Sequence, residues 1–162
     1  VTVVLGLDPG STIGVCVLDV GAHQASLVSA TCWNEDADEI LSSKLRELLW
    51  QSPRPELVAI ERVYDVHGSA RMGSSYAQGL ALSNWIGGLL AGVARSQGVR
   101  VVTPPAGTWR KALCGSPRAT DAQVKQMVRL RVPDWPARSN AHERDGAGVA
   151  LWAGLGAARS AA

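Results

Sequence analysis

Cysteine is scarce in this chain: Cys16, Cys32 and Cys114 are odd in number, far apart and in no paired spacing. That excludes a disulfide framework and a cysteine-ligated zinc site, and suits small packing residues in a reducing compartment. Long hydrophobic runs are absent too, with nothing near the roughly 20 apolar residues of a membrane span. The start lacks the basic-then-apolar layout of a secretory signal, so a cytoplasmic protein with no membrane partner is expected. No internal repeat, low-complexity tract or long linker divides the sequence. One domain over residues 1–162 is therefore expected, large enough to bury a core without metals or cross-links.

Charge of one sign is also unevenly spread. The net charge is +2, yet residues 1–57 carry three basic side chains against eight acids, and the remainder thirteen against six. A basic C-terminal two-thirds suits a polyanionic partner, although ordinary solvated charge produces the same bias.

What the sequence does contain is the stretch Val3-Val4-Leu5-Gly6-Leu7-Asp8-Pro9-Gly10-Ser11-Thr12-Ile13-Gly14-Val15-Cys16-Val17-Leu18. An apolar run ending at an acid, broken by Pro9-Gly10 and resumed, predicts a buried strand, a turn and a return strand. Asp8 then lies at a strand's C-terminal end, where α/β sheets form ligand crevices, or it caps its own turn. A third strand over 25–33 completes an antiparallel meander. A helix opened by Asp36 or Asp38 and carrying Leu41, Leu45 and Leu48 ends near Pro53. The apolar run 57–60 predicts a parallel strand that also ends in an acid, Glu61. Pairing it beside the first strand brings Asp8 and Glu61 to one sheet edge, about 5 Å apart in the pairing direction.

Residues 64–73 read as a glycine-punctuated loop. The longest helix comes after it over about 74–96, with an apolar stripe of Leu82, Trp85, Ile86, Leu89, Leu90 and Val93. Gly79, Ser83, Gly87 and Ala91 recur every fourth residue on another side, a surface suited either to a partner subunit or to close packing on the sheet. A further strand over 99–103, a short helix over 108–114 and a helix from Asp121 come next. Thr120 and Gln123 form a capping box for that helix, and Asn140 with Glu143 starts the last one. There His142 and Asp145 share a face, and Gly146, Ala147 and Gly148 let the helix lie tightly on a sheet. Three carboxylates and an imidazole around one crevice cannot all stay charged and unpaired, and a divalent metal is the economical solution. The six tryptophans mostly occupy helical or strand core positions, and none is assigned a function.

The segments Leu-Gly-Leu-Asp-Pro-Gly-Ser, Pro-Glu-Leu-Val-Ala-Ile-Glu-Arg-Val-Tyr, Pro-Pro-Ala-Gly-Thr-Trp-Arg-Lys-Ala-Leu-Cys-Gly, Arg-Ala-Thr-Asp-Ala-Gln-Val-Lys-Gln-Met-Val and His-Glu-Arg-Asp-Gly-Ala-Gly-Val-Ala resemble, in this order, the RuvC family of Holliday-junction resolvases. The resemblance covers nearly the whole chain. It implies an α/β RNase H-like fold, a five-stranded mixed sheet of antiparallel meander plus parallel strands flanked by helices. It also implies metal-dependent hydrolysis of DNA by a homodimer that makes paired nicks across a four-way junction. The family's catalytic, metal-binding positions fall on Asp8, Glu61, His142 and Asp145. Two Mg²⁺ or Mn²⁺ ions per subunit are then expected, with Mn²⁺ at least as effective because an imidazole softens the oxygen set. Expected DNA contacts are Arg62, His67, Arg71, Arg110, Lys111, Arg118 and Lys125. Tyr64 occupies the place of a base-stacking aromatic and reads otherwise as core.

The sequence also departs from the family. The loop after Glu61 is about two residues short, the Leu-Gly-Gln-Ala pattern is blurred to Met72–Ala77, and Asp121 stands where a catalytic lysine is usual. A broader branched-DNA or flap nuclease of the same type therefore stays open. So does a non-catalytic nucleic-acid-binding relative, which the intact acidic set opposes. An actin-like or sugar-kinase lobe needs a second phosphate loop and a second domain, for which 162 residues leave no room. Whether a branch-migration complex is a partner is not legible in the sequence.

Overall fold

A computed structural model describes residues 1–34, 37–62 and 74–160. In chain order these form β1 (Thr2–Asp8), β2 (Ile13–Val20), β3 (Ala25–Trp33), α1 (Asp38–Trp50), β4 (Leu57–Ile60), α2 (Ser74–Ser96), β5 (Arg100–Val102), α3 (Ala106–Cys114), α4 (Asp121–Arg131) and α5 (Ala141–Ser160). The sheet runs β3-β2-β1-β4-β5. The meander β1–β2–β3 is antiparallel, and β4 joins β1 in parallel register, Leu7 opposite Ile60. The crossovers α1 and α2 make the parallel pairs β1–β4 and β4–β5 possible, since parallel neighbours need a long return path.

Side-chain alternation along each strand divides the core in two. Val3, Leu5 and Leu7 of β1, with Val58 and Ile60 of β4, meet Leu41, Leu45 and Leu49 of α1 and Ile86 and Leu90 of α2. Val4 of β1 and Leu57 and Ala59 of β4 turn to the opposite side, against α3, α4 and α5. On that side α5 touches the strands almost backbone to backbone. A Cβ added at Gly6 would fall onto the Gly146 carbonyl oxygen, and one at Gly14 onto the His142 carbonyl. No residue larger than glycine fits these two places, which fixes how deeply the start of α5 sits over β1 and β2.

Local signals set the helix ends. Thr120 Oγ1 accepts from Gln123 N–H while Gln123 Oε1 accepts from Thr120 N–H, the predicted capping box. Asn140 and Glu143 do the same for α5, and Asn140 Nδ2 also reaches Cys32 Sγ at 3.1 Å, pinning this end to β3. Gly115, at φ 80°, closes α3 in the left-handed conformation.

Some expectations need correction. The helix read from Thr108 begins at Ala106, capped by Pro105, and the strand read to Thr103 ends at Val102. Asp36 lies outside the described residues, and α1 starts at Asp38. Trp85 is 44% exposed and Trp50 65%, so neither is a core residue. In the small-residue row of α2, Ala91 is buried on the chain's own sheet, and Gly87 faces Pro9 and Ile60. Gly79 is exposed with open space at its Cβ position, and Ser83 donates to its carbonyl at 3.0 Å. The three cysteines are free thiols.

Candidate metal centre

Strand alternation delivers the acids. Asp8 follows Val4 and Gly6 at two-residue spacing, and Glu61 follows Leu57 and Ala59, so both emerge from the sheet on the α5 side. Glu61 N–H donates to the Leu7 carbonyl at 2.8 Å, extending the parallel register to the point where the acids face each other. The deep seat of α5 supplies the rest. With the His142 carbonyl against Gly14, the ring Nδ1 of His142 lies 3.1 Å from Asp8 Oδ2. Asp145, one turn on, accepts from Arg110 Nη2 at 2.8 Å.

The third wall is α3. Trp109 is fully buried, and its indole Nε1–H donates to Glu61 Oε2 at 2.6 Å. Its ring lies where a side chain on Gly148 would stand, so this glycine makes room for the indole. Arg110, the next residue, extends into the crevice. Its Nη1 donates to the Ala119 carbonyl at 2.9 Å and lies 3.8 Å from Asp121 Oδ1. Trp109 therefore has a role that the sequence reading withheld from every tryptophan. The available signal is chemical: a buried indole N–H must find an acceptor.

The site is short of positive charge. Burial, then the negative charge of Asp8, raises Glu61 to about 7; the Trp109 bond opposes this, Asp145 adds to it and Arg110 relieves it. Burial likewise lifts Asp145 to about 6, opposed by Arg110 and reinforced by Asp8 and Asp121. Asp8 is raised by burial against the pull of His142 and Arg110. Glu61 thus senses both Asp8 and Asp145, and Asp145 senses Asp8, which places the three carboxylates in one electrostatic neighbourhood. As the side chains stand, Asp8 faces His142, Asp145 faces Arg110 and Glu61 faces Trp109. Among the described residues no three His, Cys, Asp or Glu side chains already surround a common point for a metal ion. The donor set nonetheless fits a hard divalent cation: three crowded carboxylates and an imidazole, with the Arg110 guanidinium bonded among them.

Of the cations expected on DNA, Arg62, Lys111 and Arg118 are exposed and Lys125 is half-buried. Arg110 is turned inward, its side chain 20% exposed. Tyr64, His67 and Arg71 lie outside the described residues. A groove of about 230 Å³ opens beside Glu61, lined by Arg62, Asn84, Arg95 and Thr103 among others.

Comparison with known proteins places this geometry. The family model described as "Crossover junction endodeoxyribonuclease RuvC" matches residues 4–151. The crossover junction endodeoxyribonuclease RuvC of Saccharopolyspora erythraea is 34% identical over 133 residues, 77% of this chain and 63% of that protein. The chain thus spans less than two thirds of the length of that relative. The structure of Thermus thermophilus RuvC superposes with a TM-score of 0.77 at 26% identity, covering 98% of this chain and 97% of that one. T. thermophilus RuvC in complex with a Holliday junction substrate superposes with a TM-score of 0.81 at 24% identity, covering 99% and 97%. The architecture is the RNase H-like fold.

Proposed function

The chain belongs to the RuvC family of crossover junction endodeoxyribonucleases, and from that premise we propose that it is a metal-dependent endonuclease that resolves four-way DNA junctions by paired nicks as a homodimer. The observation that carries this reading is the convergence of Asp8, Glu61 and Asp145, from the ends of β1 and β4 and from α5, on one crevice, with His142 bonded to Asp8 and the charges of Asp8 and Asp145 both felt at Glu61.

In this reading Asp8, Glu61, Asp145 and His142 would hold the divalent ions, with Asp8 central in the sheet between the other ligands. Bound Mg²⁺ or Mn²⁺ supplies Lewis acidity toward a phosphodiester and a lowered pKa for water. The chain's own residues prepare the site. Trp109 holds Glu61 in one orientation, so a carboxylate oxygen remains aimed at the crevice. His142 sits beside Asp8 and half in solvent, a position from which a proton can pass to or from water. The buried seat of the carboxylates keeps bulk water from screening their charge.

Arg62, Lys111 and Arg118, which are exposed, and the half-buried Lys125 would meet phosphates of the bound DNA. The groove beside Glu61 gives the strand a path past Arg62 and Arg95. A second copy is best received on the outer side of α2. There Trp85 is exposed and Gly88 and Gly92 have open space at their Cβ positions, whereas Gly87 and Ala91 are engaged by the chain's own sheet.

The test is an end-labelled mobile junction, flap, fork and linear duplex, each incubated with Mg²⁺ or Mn²⁺, with Asp8→Asn as control. Paired symmetric nicks in the junction alone, at least as fast with Mn²⁺ and absent in Asp8→Asn, are expected. Equal cutting of all four substrates would reject junction resolution and keep the nuclease. Nicking by Asp8→Asn at the normal rate would reject the site.

A further inference from the structure

Arg110 is bonded to a carboxylate that the proposed chemistry assigns to a metal, and its other anchors do not move with that carboxylate. Nη2 donates to Asp145 Oδ2 at 2.8 Å, while Nη1 donates to the Ala119 carbonyl at 2.9 Å. Asp121 Oδ1 stands 3.8 Å from Nη1, and the guanidinium carbon lies 5.1 Å from the centre of the Trp109 ring. Only Asp145 belongs to α5. Trp109 is on α3, Ala119 is in the segment after it, and Asp121 opens α4. The fork is therefore aimed at Asp145 from a separate part of the fold. Arg110 Nε is buried without a hydrogen-bond partner, a cost that this fixed aim accepts.

A guanidinium so held does for Asp145 what a cation does: it neutralises the charge and occupies one oxygen. A divalent ion approaching the same carboxylate meets a positive charge that cannot withdraw far, and finds Oδ2 already taken.

We propose that Arg110 is a built-in competitor for the divalent cation at Asp145, a positioning residue that holds the carboxylate in the metal-free chain and sets the affinity of that half of the centre. The proposal rests on the reading of Asp145 as a metal ligand. Removing the guanidinium then tightens metal binding, whereas removing a merely structural contact would loosen the site and weaken it.

The experiment is titration of Mn²⁺ into metal-free wild type, Arg110→Gln and Arg110→Lys, with free Mn²⁺ read by electron paramagnetic resonance and folding checked by circular dichroism. A hydrogen bond to a charged group is lost in Arg110→Gln, so its Mn²⁺ dissociation constant should fall about tenfold. Arg110→Lys keeps the charge but cannot bond the Ala119 carbonyl and Asp145 together, and its constant should fall between the two. If Arg110→Gln does not fold, Arg110→Lys decides alone and must bind more tightly than wild type. Unchanged or weaker binding in a folded variant overturns the competitor while leaving the metal centre intact. A wild-type chain that binds no Mn²⁺ overturns both.

Discussion

The two faces of the sheet are built on different terms. Toward α1 and α2 the strands present Val3, Leu5, Leu7, Val58 and Ile60, branched side chains that keep the helices at side-chain distance. Toward α5 the strands give up side-chain volume beside the site: Gly6 stands between Val4 and Asp8 on β1, and Leu18, Cys16, Gly14 diminish back along β2. The first face holds the domain together by apolar burial and carries no acid of the proposed metal centre. The second gives up side-chain volume so that the backbone of α5 reaches the sheet, and it uses that closeness to aim His142 and Asp145. Stability and chemistry are thus assigned to opposite sides of one layer of strands. A substitution's effect should depend on which side it touches more than on how deeply it is buried.

The largest expected contrast sets Gly6→Ala against Leu45→Ala. In Gly6→Ala the new methyl meets the Gly146 carbonyl, rigid helix backbone rather than a movable side chain, so α5 must back away and carry Asp145 with it. Overpacking of this kind costs roughly 3 kcal/mol or more, and junction cleavage should fall with it even at temperatures where the variant is folded. Leu45→Ala leaves a cavity under α1 and should cost roughly 2–5 kcal/mol, yet cleave at nearly the wild-type rate at 25 °C. Urea unfolding and nicking of one labelled junction measure both. A folded Gly6→Ala with full activity would break the division between the faces.

How much of this was legible in the sequence obeys the same division. Strand ends are written locally: an apolar run that stops at an acid located Asp8 and Glu61, and the capping pairs Thr120–Gln123 and Asn140–Glu143 located two helix starts. The approach of α5 was half-written, in Gly146 and Gly148, but the matching glycines of β1 and β2 gain meaning only when paired across the sheet. Trp109 was not legible, because the acceptor of an indole N–H is chosen by the tertiary fold. The stripe on α2 was read too wide for a related reason. Gly87 and Ala91 let the helix settle toward Pro9 and Ile60, so Ile86, Leu90, Val93 and Ala94 bury while Trp85 turns outward. Periodicity gives a face; which edge of that face is covered depends on what it lies against.

A smaller effect sharpens the contrast without any substitution. Glu61 is held at about 7 against an ordinary 4.5, and Asp145 at about 6 against 3.8, so the native state binds protons more tightly than the unfolded chain. Between pH 4 and 7 these two groups therefore carry more protons in the folded form than in the unfolded form, and their contribution to the slope of unfolding free energy with pH is negative. In metal-free protein the stability contributed by Glu61 and Asp145 should be full below the unfolded carboxylate range and fall by several kcal/mol as pH rises through 7, the reverse of a salt-bridged acid. The measurement is urea unfolding in chelator from pH 4.5 to 8. Asp8→Asn, which removes a charge that raises both neighbours, should flatten the curve, and Leu45→Ala should shift it without changing its shape. A metal-free profile that rises toward pH 7 would mean that these acids are paired more completely than the geometry gives.

The smallest expected effect falls on Trp109→Phe, which separates packing from aim within the α5 face itself. The ring keeps its place against Gly148, so the apolar contact survives, but Glu61 Oε2 loses its donor. A net hydrogen bond is worth about 1 kcal/mol, and one to a charged group about 2, so the melting temperature should move by only a few degrees. Glu61 would then be free to rotate, and kcat for junction nicking should drop about tenfold with KM for the junction nearly unchanged, since the indole is fully buried. A rise in KM with kcat intact would assign Trp109 to substrate binding. Equal loss of stability and rate would return it to the core.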